Sequence, residues 1–294
     1  MSLLRAFVRP SLWLALIAGA LHALSIAWPG TGQAQGWLQL LSLVLLASTL
    51  QGLARSDAPL RAALSAAAWR SGAFVLAWLA GVFWWLHVSM HQVGGLLAPL
   101  SVAAVLLLAA ALGLYYVGAS VAWLTLVRRA RWTQRPLAAS VLFGALWLLA
   151  ELMRGQWFTG FPWGAVGYAH VESALAPAAP WVGVYGLSAL AAAGAMRLAW
   201  PQARVWGVLS LLLVLGALRA LPDNDQLTQS AGSAEVELLQ ANIGQSEKFD
   251  PQHGVREALQ WYGQRLLASE QPLVIAPETA LPLLPRYLPE GYWA

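Results

Sequence analysis

The stretch PSLWLALIAGALHALSIAWPGTGQAQGWLQLLSLVLLASTLQGLA, residues 10–54, contains no Asp, Glu, Lys or Arg. A helix needs about 20 apolar residues to cross the hydrocarbon core of a bilayer, so this run is long enough for two crossings. Trp28-Pro29-Gly30-Thr31-Gly32 interrupts it with residues that punctuate regular structure, which makes it two membrane helices joined by a tight turn. Residues 71–127 repeat the pattern, again without those four residue types, and break near His91-Gln92-Val93-Gly94-Gly95. Three more apolar runs follow, from about Pro136 to Glu151, Trp181 to Arg197 and Val205 to Arg219. The reading is an α-helical polytopic membrane domain of about seven transmembrane helices.

The composition of the whole chain agrees. Of 294 residues, 59% are hydrophobic and 10% charged, with 17 Trp and a mean hydropathy of +0.59; soluble domains average about 25% charged residues. Disorder, a collagen-like fibre and a disulfide-stapled module are excluded. With no Cys, the chain has no disulfide, no thiolate metal site and no cysteine nucleophile.

The net charge of +4 conceals a division. Residues 1–222 carry thirteen Arg against three acids, whereas residues 223–294 carry four bases against ten acids. The change falls at Pro222-Asp223-Asn224-Asp225. The arginines sit at the ends of apolar runs, which argues against a nucleic-acid surface. Arg5 and Arg9 precede the first span; Arg55, Arg61 and Arg70 lie between the second and third. Arg128, Arg129, Arg131 and Arg135 lie between the fourth and fifth, and Arg197 and Arg204 between the sixth and seventh. Basic residues mark the cytoplasmic side. The N-terminus is therefore expected in the cytoplasm, the first span retained rather than cleaved as a signal peptide, and residues 223–294 outside.

From Ala234 the pattern changes. Ala234–Ala241 partly alternates, as a strand does. Asp250 is placed to cap a helix bearing Val255, Leu259, Tyr262 and Leu266 at helical spacing. Leu273-Val274-Ile275-Ala276 is a short apolar strand leading into Pro277-Glu278-Thr279-Ala280-Leu281-Pro282. Strand, helix, strand makes one βαβ unit with parallel, buried strands, and Glu278 emerges at a strand's carboxyl end, where α/β folds build sites. Such a unit alone cannot bury both its faces.

Several motifs admit two readings. Glu278 is a general base in a Pro-flanked turn or an ordinary exposed carboxylate. Gln240, Asn242 and Gln245, with Lys248, Phe249 and Asp250, form a polar site or an Asn/Gly turn. Glu151 and Arg154 are spaced i,i+3 and can pair on one helix face, as a functional intramembrane group or an interfacial ion pair. Phe161, Trp163 and Tyr168 belong to a Gly- and Pro-interleaved aromatic stretch, residues 155–168, that reads as a re-entrant loop serving a lipid vestibule or as an aromatic belt. His87 and His91 have a metal-pair spacing but no nearby carboxylate, so no metal is expected. No cofactor or nucleotide motif occurs.

Taken in order, these motifs resemble the bacterial apolipoprotein N-acyltransferases across essentially the whole chain. The resemblance rests on residues 85–91; on Glu151, Arg154, the run Thr159–Trp163 and Gly167-Tyr168; on Gln240, Asn242, Gln245 and Lys248; and on residues 277–282. It implies a transmembrane domain, residues 1–222, and the beginning of a periplasmic nitrilase-like αββα domain, residues 223–294, incomplete in this chain. It implies an inner-membrane enzyme with a Glu-Lys-Cys triad that takes an acyl chain from a phospholipid as a Cys thioester. The acceptor is the amine of a diacylglyceryl-cysteine on an apolipoprotein; nucleic acid and nucleotides play no part. Glu278 matches the family's general base; Trp163, Phe161, Tyr168, Phe249, Asn242 and Gln245 are candidate substrate contacts, and Glu151–Arg154 a structural ion pair. The departures are the absent Cys, a single Lys that precedes Glu278 and matches a different motif, the missing final span and Phe249 where the family commonly has Trp. The chain alone is expected to be inactive. The alternative is a short non-catalytic membrane protein binding lipid or lipoprotein, or half of a two-chain enzyme.

Overall fold

Six of the seven long apolar helices among the described residues close into a ring. In chain order the helices are α1 (Pro10–Ile26), α2 (Gly36–Arg55), α3 (Leu60–Val82), α4 (Ala98–Arg129), α5 (Pro136–Gln156), α6 (Ala179–Ala199) and α7 (Arg204–Arg219). The structure is a computed structural model and describes residues 10–200, 204–220, 228–244 and 247–292. Around the ring α1 packs on α3, α3 on α4, α4 on α5, α5 on α6, α6 on α2, and α2 back on α1, while α7 packs mainly on α6.

Five helices, α2 to α6, are long and apolar enough to cross a membrane. Seven spans are expected from the sequence; five helices among the described residues have that length, and the first and last expected spans fall on shorter apolar helices, α1 of 17 residues and α7 of 16. Arg5 and Arg9 lie outside the described residues, as does the charge boundary at Pro222–Asp225. At 32 residues, α4 runs about 48 Å, longer than the hydrocarbon core, and so must tilt or extend past it.

The interior is a mostly apolar core, with Leu43, Phe74, Trp78 and Trp123 among its buried side chains, and polar residues are set into it. Ser42, Ser71, Ser101, Ser120, Ser140 and Ser188 are buried together with Gln39 and Gln51, whereas Leu100, Leu107 and Leu114 of α4 point outward. With lipid outside, apolar side chains gain nothing by turning inward; small and polar residues let helices approach and bond. Gly19 shows how close they come: a Cβ there would collide with the Phe74 carbonyl on α3. Trp78 anchors the centre, its ring 6.1 Å from Trp147 and stacked, and 4.9 Å edge-on from Tyr116.

The bundle has two unlike ends. At one, Arg128 on α4 donates to the Ser56 carbonyl (2.6 Å) and the Ala58 carbonyl (2.8 Å) of the α2–α3 turn, and Arg55 lies over the Trp200 ring. At the other, the connection between α3 and α4 meets the segment after α5, Trp85 lying 5.9 Å from Trp163.

The chain divides into two compact units, Met1–Asn224 and Asp225–Ala294. In the second, β1 (Val236–Leu238) pairs in parallel with β2 (Leu273–Ile275), the partners being Val236 with Leu273 and Leu238 with Ile275. Helix α8 (Gly254–Ala268) connects them. β1 is shorter than the expected strand over Ala234–Ala241. The sheet is also covered on one face only, which corrects the expectation of buried strands. Leu239, Ala258 and Tyr262 form a small core with Val274 and Leu281, while Leu238, Leu273 and Ile275 are exposed. Asp250 does not cap α8: its Oδ1 accepts from the Gln252 amide (2.9 Å) in the turn before it, and His253 occupies the N-cap position. Those interactions hold the Asp250 carboxyl below its ordinary pKa, the backbone bond from Gln252 foremost, then His253. Leu266 faces solvent, so the buried stripe of α8 is Val255, Ala258 and Tyr262 with Leu259 at its edge.

Candidate functional site

In the membrane unit the site is built on one buried arginine. Glu151 and Arg154 lie one turn apart on α5, both side chains fully buried, with Nη2 to Oε2 at 2.9 Å. Burying a charge pair is costly unless every remaining donor and acceptor is also satisfied. Here Arg154 Nε donates to the Tyr116 hydroxyl on α4 (2.8 Å), and Nη1 donates to the carbonyls of Phe161 (2.7 Å) and Trp163 (2.8 Å). The other oxygen of Glu151 accepts from the Val166 amide at 3.2 Å. The pair thus grips the segment after α5 at three backbone positions.

The gripped segment is irregular, as its Gly and Pro content requires. Phe158, Thr159 and Gly160 take successive left-handed φ values of 53°, 73° and 77°. A β-branched residue in that region is strained and persists only where its surroundings over-determine it; the two carbonyls bonded to Arg154 follow directly. Further on, the Gly167 amide donates to the Ser188 hydroxyl on α6 (2.8 Å), and a Cβ at Gly167 would strike the Val184 carbonyl. His170 is buried, 3.0 Å from Gln39 Oε1 on α2 and 2.9 Å from the Ser173 hydroxyl. Burial lowers its pKa to about 4.

This anchoring sorts the aromatic candidates. Phe161 turns inward, edge-on to Phe83 at 5.0 Å. Trp163 and Tyr168 remain half-exposed, and Phe158 is 91% exposed at the tip. Trp163 lies 5.9 Å from Trp85. His87 and His91 stack at 5.4 Å, the first 2.8 Å from the Ser101 hydroxyl and the second 2.7 Å from the Leu96 carbonyl.

In the second unit, Glu278 follows β2 by three residues and is exposed. Its turn is closed by the Ala280 amide donating to the Pro277 carbonyl (3.0 Å), with Thr279 left-handed. Lys248 Nζ donates to the Glu278 carbonyl at 3.1 Å, so its bond goes to the backbone of the turn and not to the carboxylate. Asn242 follows β1 with a left-handed φ of 54°, and Phe249 is exposed beside Lys248. Gln245 lies outside the described residues; Gln240 is exposed.

The sequence reading missed Tyr116, Ser188, Gln39 and His170. Tyr116 left a signal: a phenol amid the apolar residues of a membrane helix needs a hydrogen-bond partner. The partners of the others come from distant helices and leave no local mark.

A family model described as Apolipoprotein N-acyltransferase N-terminal domain matches residues 18–197. An apolipoprotein N-acyltransferase of Verminephrobacter eiseniae is 47% identical over 95% of this chain and 53% of its own length. One from Ralstonia nicotianae is 40% identical over 94% of this chain and 51% of its own, and one from Azotobacter vinelandii 37% identical over 97% and 54%. The chain spans about half the length of the curated relatives it matches. Matched over α2 to α6, and carrying the gripped aromatic segment between α5 and α6, the chain belongs to the apolipoprotein N-acyltransferase family.

Proposed function

We propose that the chain forms the membrane portion and the beginning of the catalytic portion of an enzyme that moves a fatty acyl chain from a phospholipid to the amine of a diacylglyceryl-cysteine on a lipoprotein, at the outer face of the bacterial inner membrane. The observation that carries this reading is the position of Glu278, exposed in a closed turn just past the carboxyl end of β2. A general base must reach the proton it abstracts. In the family's chemistry it takes the proton of a cysteine thiol as the sulfur attacks the ester carbonyl. The proton passes to the departing lysophospholipid, and the thioester is then cleaved by the lipoprotein amine. These 294 residues contain neither that Cys nor a Lys after Glu278, so this chain supplies the base and the lipid-facing surface but not the nucleophile.

Trp163 and Tyr168 are assigned to the acyl donor, as half-exposed amphipathic rings suited to the membrane interface. Phe161 holds the segment in place. Asn242, Gln245 and Phe249 are assigned to the acceptor side. A second reading, half of a two-chain enzyme, is favoured by the exposed apolar face of Leu238, Leu273 and Ile275, which strands from another chain would cover.

The test is acyl transfer to a diacylglyceryl peptide, followed by mass spectrometry. Purified residues 1–294 yield no product. A chimera in which they replace the matching half of the Verminephrobacter relative yields product. Product from the chain alone, or a folded chimera without activity, overturns the proposal.

A further inference from the structure

The arginine-rich end of the bundle contains a hollow that the acyl-transfer chemistry does not use. It lies between the α2–α3 turn and the α4–α5 turn, has a volume of about 680 Å³, and is lined by Arg55, Asp57, Arg128, Arg131, Thr133 and Gln134 among others. Arg128 holds the two turns together, but every acceptor it reaches is neutral: the carbonyls of Leu53, Ser56 and Ala58, and the Ser56 hydroxyl. Its positive charge is therefore not cancelled by the bonds that fix it. Its Nε is buried and has no partner among the described residues. Arg55 is held over the Trp200 ring at 5.1 Å. Arg131, two residues past the end of α4, is in a left-handed conformation, φ 56° and ψ 37°.

Among the described residues none of these three arginines forms an ion pair, and Asp57 is the one acid lining the hollow. The wall thus carries an excess of two positive charges, with hydroxyl and amide groups from Thr133 and Gln134. Guanidinium groups arranged about one space, with neutral donors beside them, recognise a phosphate-type oxyanion. The hollow also sits at the ends of helices that cross the apolar layer, the level at which lipid phosphates lie, and basic pockets there bind anionic headgroups. We infer that the hollow formed by Arg55, Arg128 and Arg131 binds the phosphate group of an anionic phospholipid.

The test is native mass spectrometry of the full chain in detergent, with phosphatidylglycerol and, separately, phosphatidylcholine. The unaltered chain retains phosphatidylglycerol in preference. Arg131→Gln, chosen because the Arg131 side chain is exposed and makes no hydrogen bond or ion pair among the described residues, lowers that retention about fivefold, the factor one basic side chain near a membrane contributes. Asp57→Asn raises it. Arg129→Gln removes an equal charge two residues away but outside the hollow, and leaves retention unchanged. Equal losses in Arg129→Gln and Arg131→Gln would mean a diffuse basic belt and overturn the site, as would no loss in Arg131→Gln. Displacement of the lipid by millimolar inorganic phosphate would overturn the lipid assignment in favour of a free anion.

Discussion

The membrane unit and the unit that follows it treat polar groups and apolar surface in opposite ways. In the first, apolar side chains cover the outside as well as filling the core, and the interior also holds a fully buried ion pair whose donors and acceptors are matched to Tyr116, Phe161, Trp163 and Val166. In the second, charged groups are exposed, the core is little more than Leu239, Ala258 and Tyr262, and half of a parallel sheet is bare. A helical ring in lipid satisfies its own backbone and can close on itself. A βαβ unit cannot, because parallel strands need cover on both faces. The membrane unit is therefore rigid where its polar groups converge, and the later unit keeps its polar residues at an accessible edge.

The largest effect is expected where the first unit concentrates its polar bonds. Arg154→Met leaves Glu151 buried without its partner and releases the Phe161 and Trp163 carbonyls, at a cost of about 3–5 kcal/mol. Thermal unfolding in detergent measures it, and hydrogen exchange localises the loosening to residues 157–168. Adding Glu151→Gln should recover part of the loss, since the buried charge is then removed. A double variant less stable than Arg154→Met would contradict the pairing. Gly167→Ala comes next: its methyl meets the Val184 carbonyl on α6, a misfit costing about 1–3 kcal/mol, read as a lower unfolding midpoint.

Five of the spans, the breaks near Trp28–Gly32 and His91–Gly95, and the i,i+3 pairing of Glu151 with Arg154 were legible in the chain, because each depends on local composition or on helical spacing. The ring closure of α2 on α6 and the grip of Arg154 on the next segment were not. Both are long-range: Tyr116 and Arg154 are 38 residues apart, Gln39 and His170 131 apart. In the second unit the strand, helix, strand order was readable, but Asp250 was misplaced as a cap. An acid just before an apolar stripe looks the same whether it bonds a helix amide or the turn before it. The open sheet face follows from the same arithmetic that identified a single βαβ unit.

His170 gives a smaller effect with a pH signature. Buried and neutral, it binds a proton only near pH 4, whereas the unfolded chain binds one near 6.5. The unfolded state therefore takes up the proton first, and stability falls as pH drops from about 6.5 toward 4. His170→Asn should remove that portion of the slope; an unchanged slope would contradict the burial. The smallest effect belongs to the bare face of the second unit. Leu273→Lys, on an exposed side chain, should stay within about 0.5 kcal/mol, whereas Tyr262→Ala on the covered face should cost severalfold more.

The most direct test concerns Glu278 as the base. In the active chimera with the Verminephrobacter relative, acyl transfer is compared for Glu278 and Glu278→Gln, together with the lifetime of any enzyme thioester. The account predicts that Glu278→Gln folds, keeps its phospholipid, and loses at least about a hundredfold in rate, the lower range for removing a general base. A Glu278→Gln chimera that transfers acyl chains at the unaltered rate would contradict it.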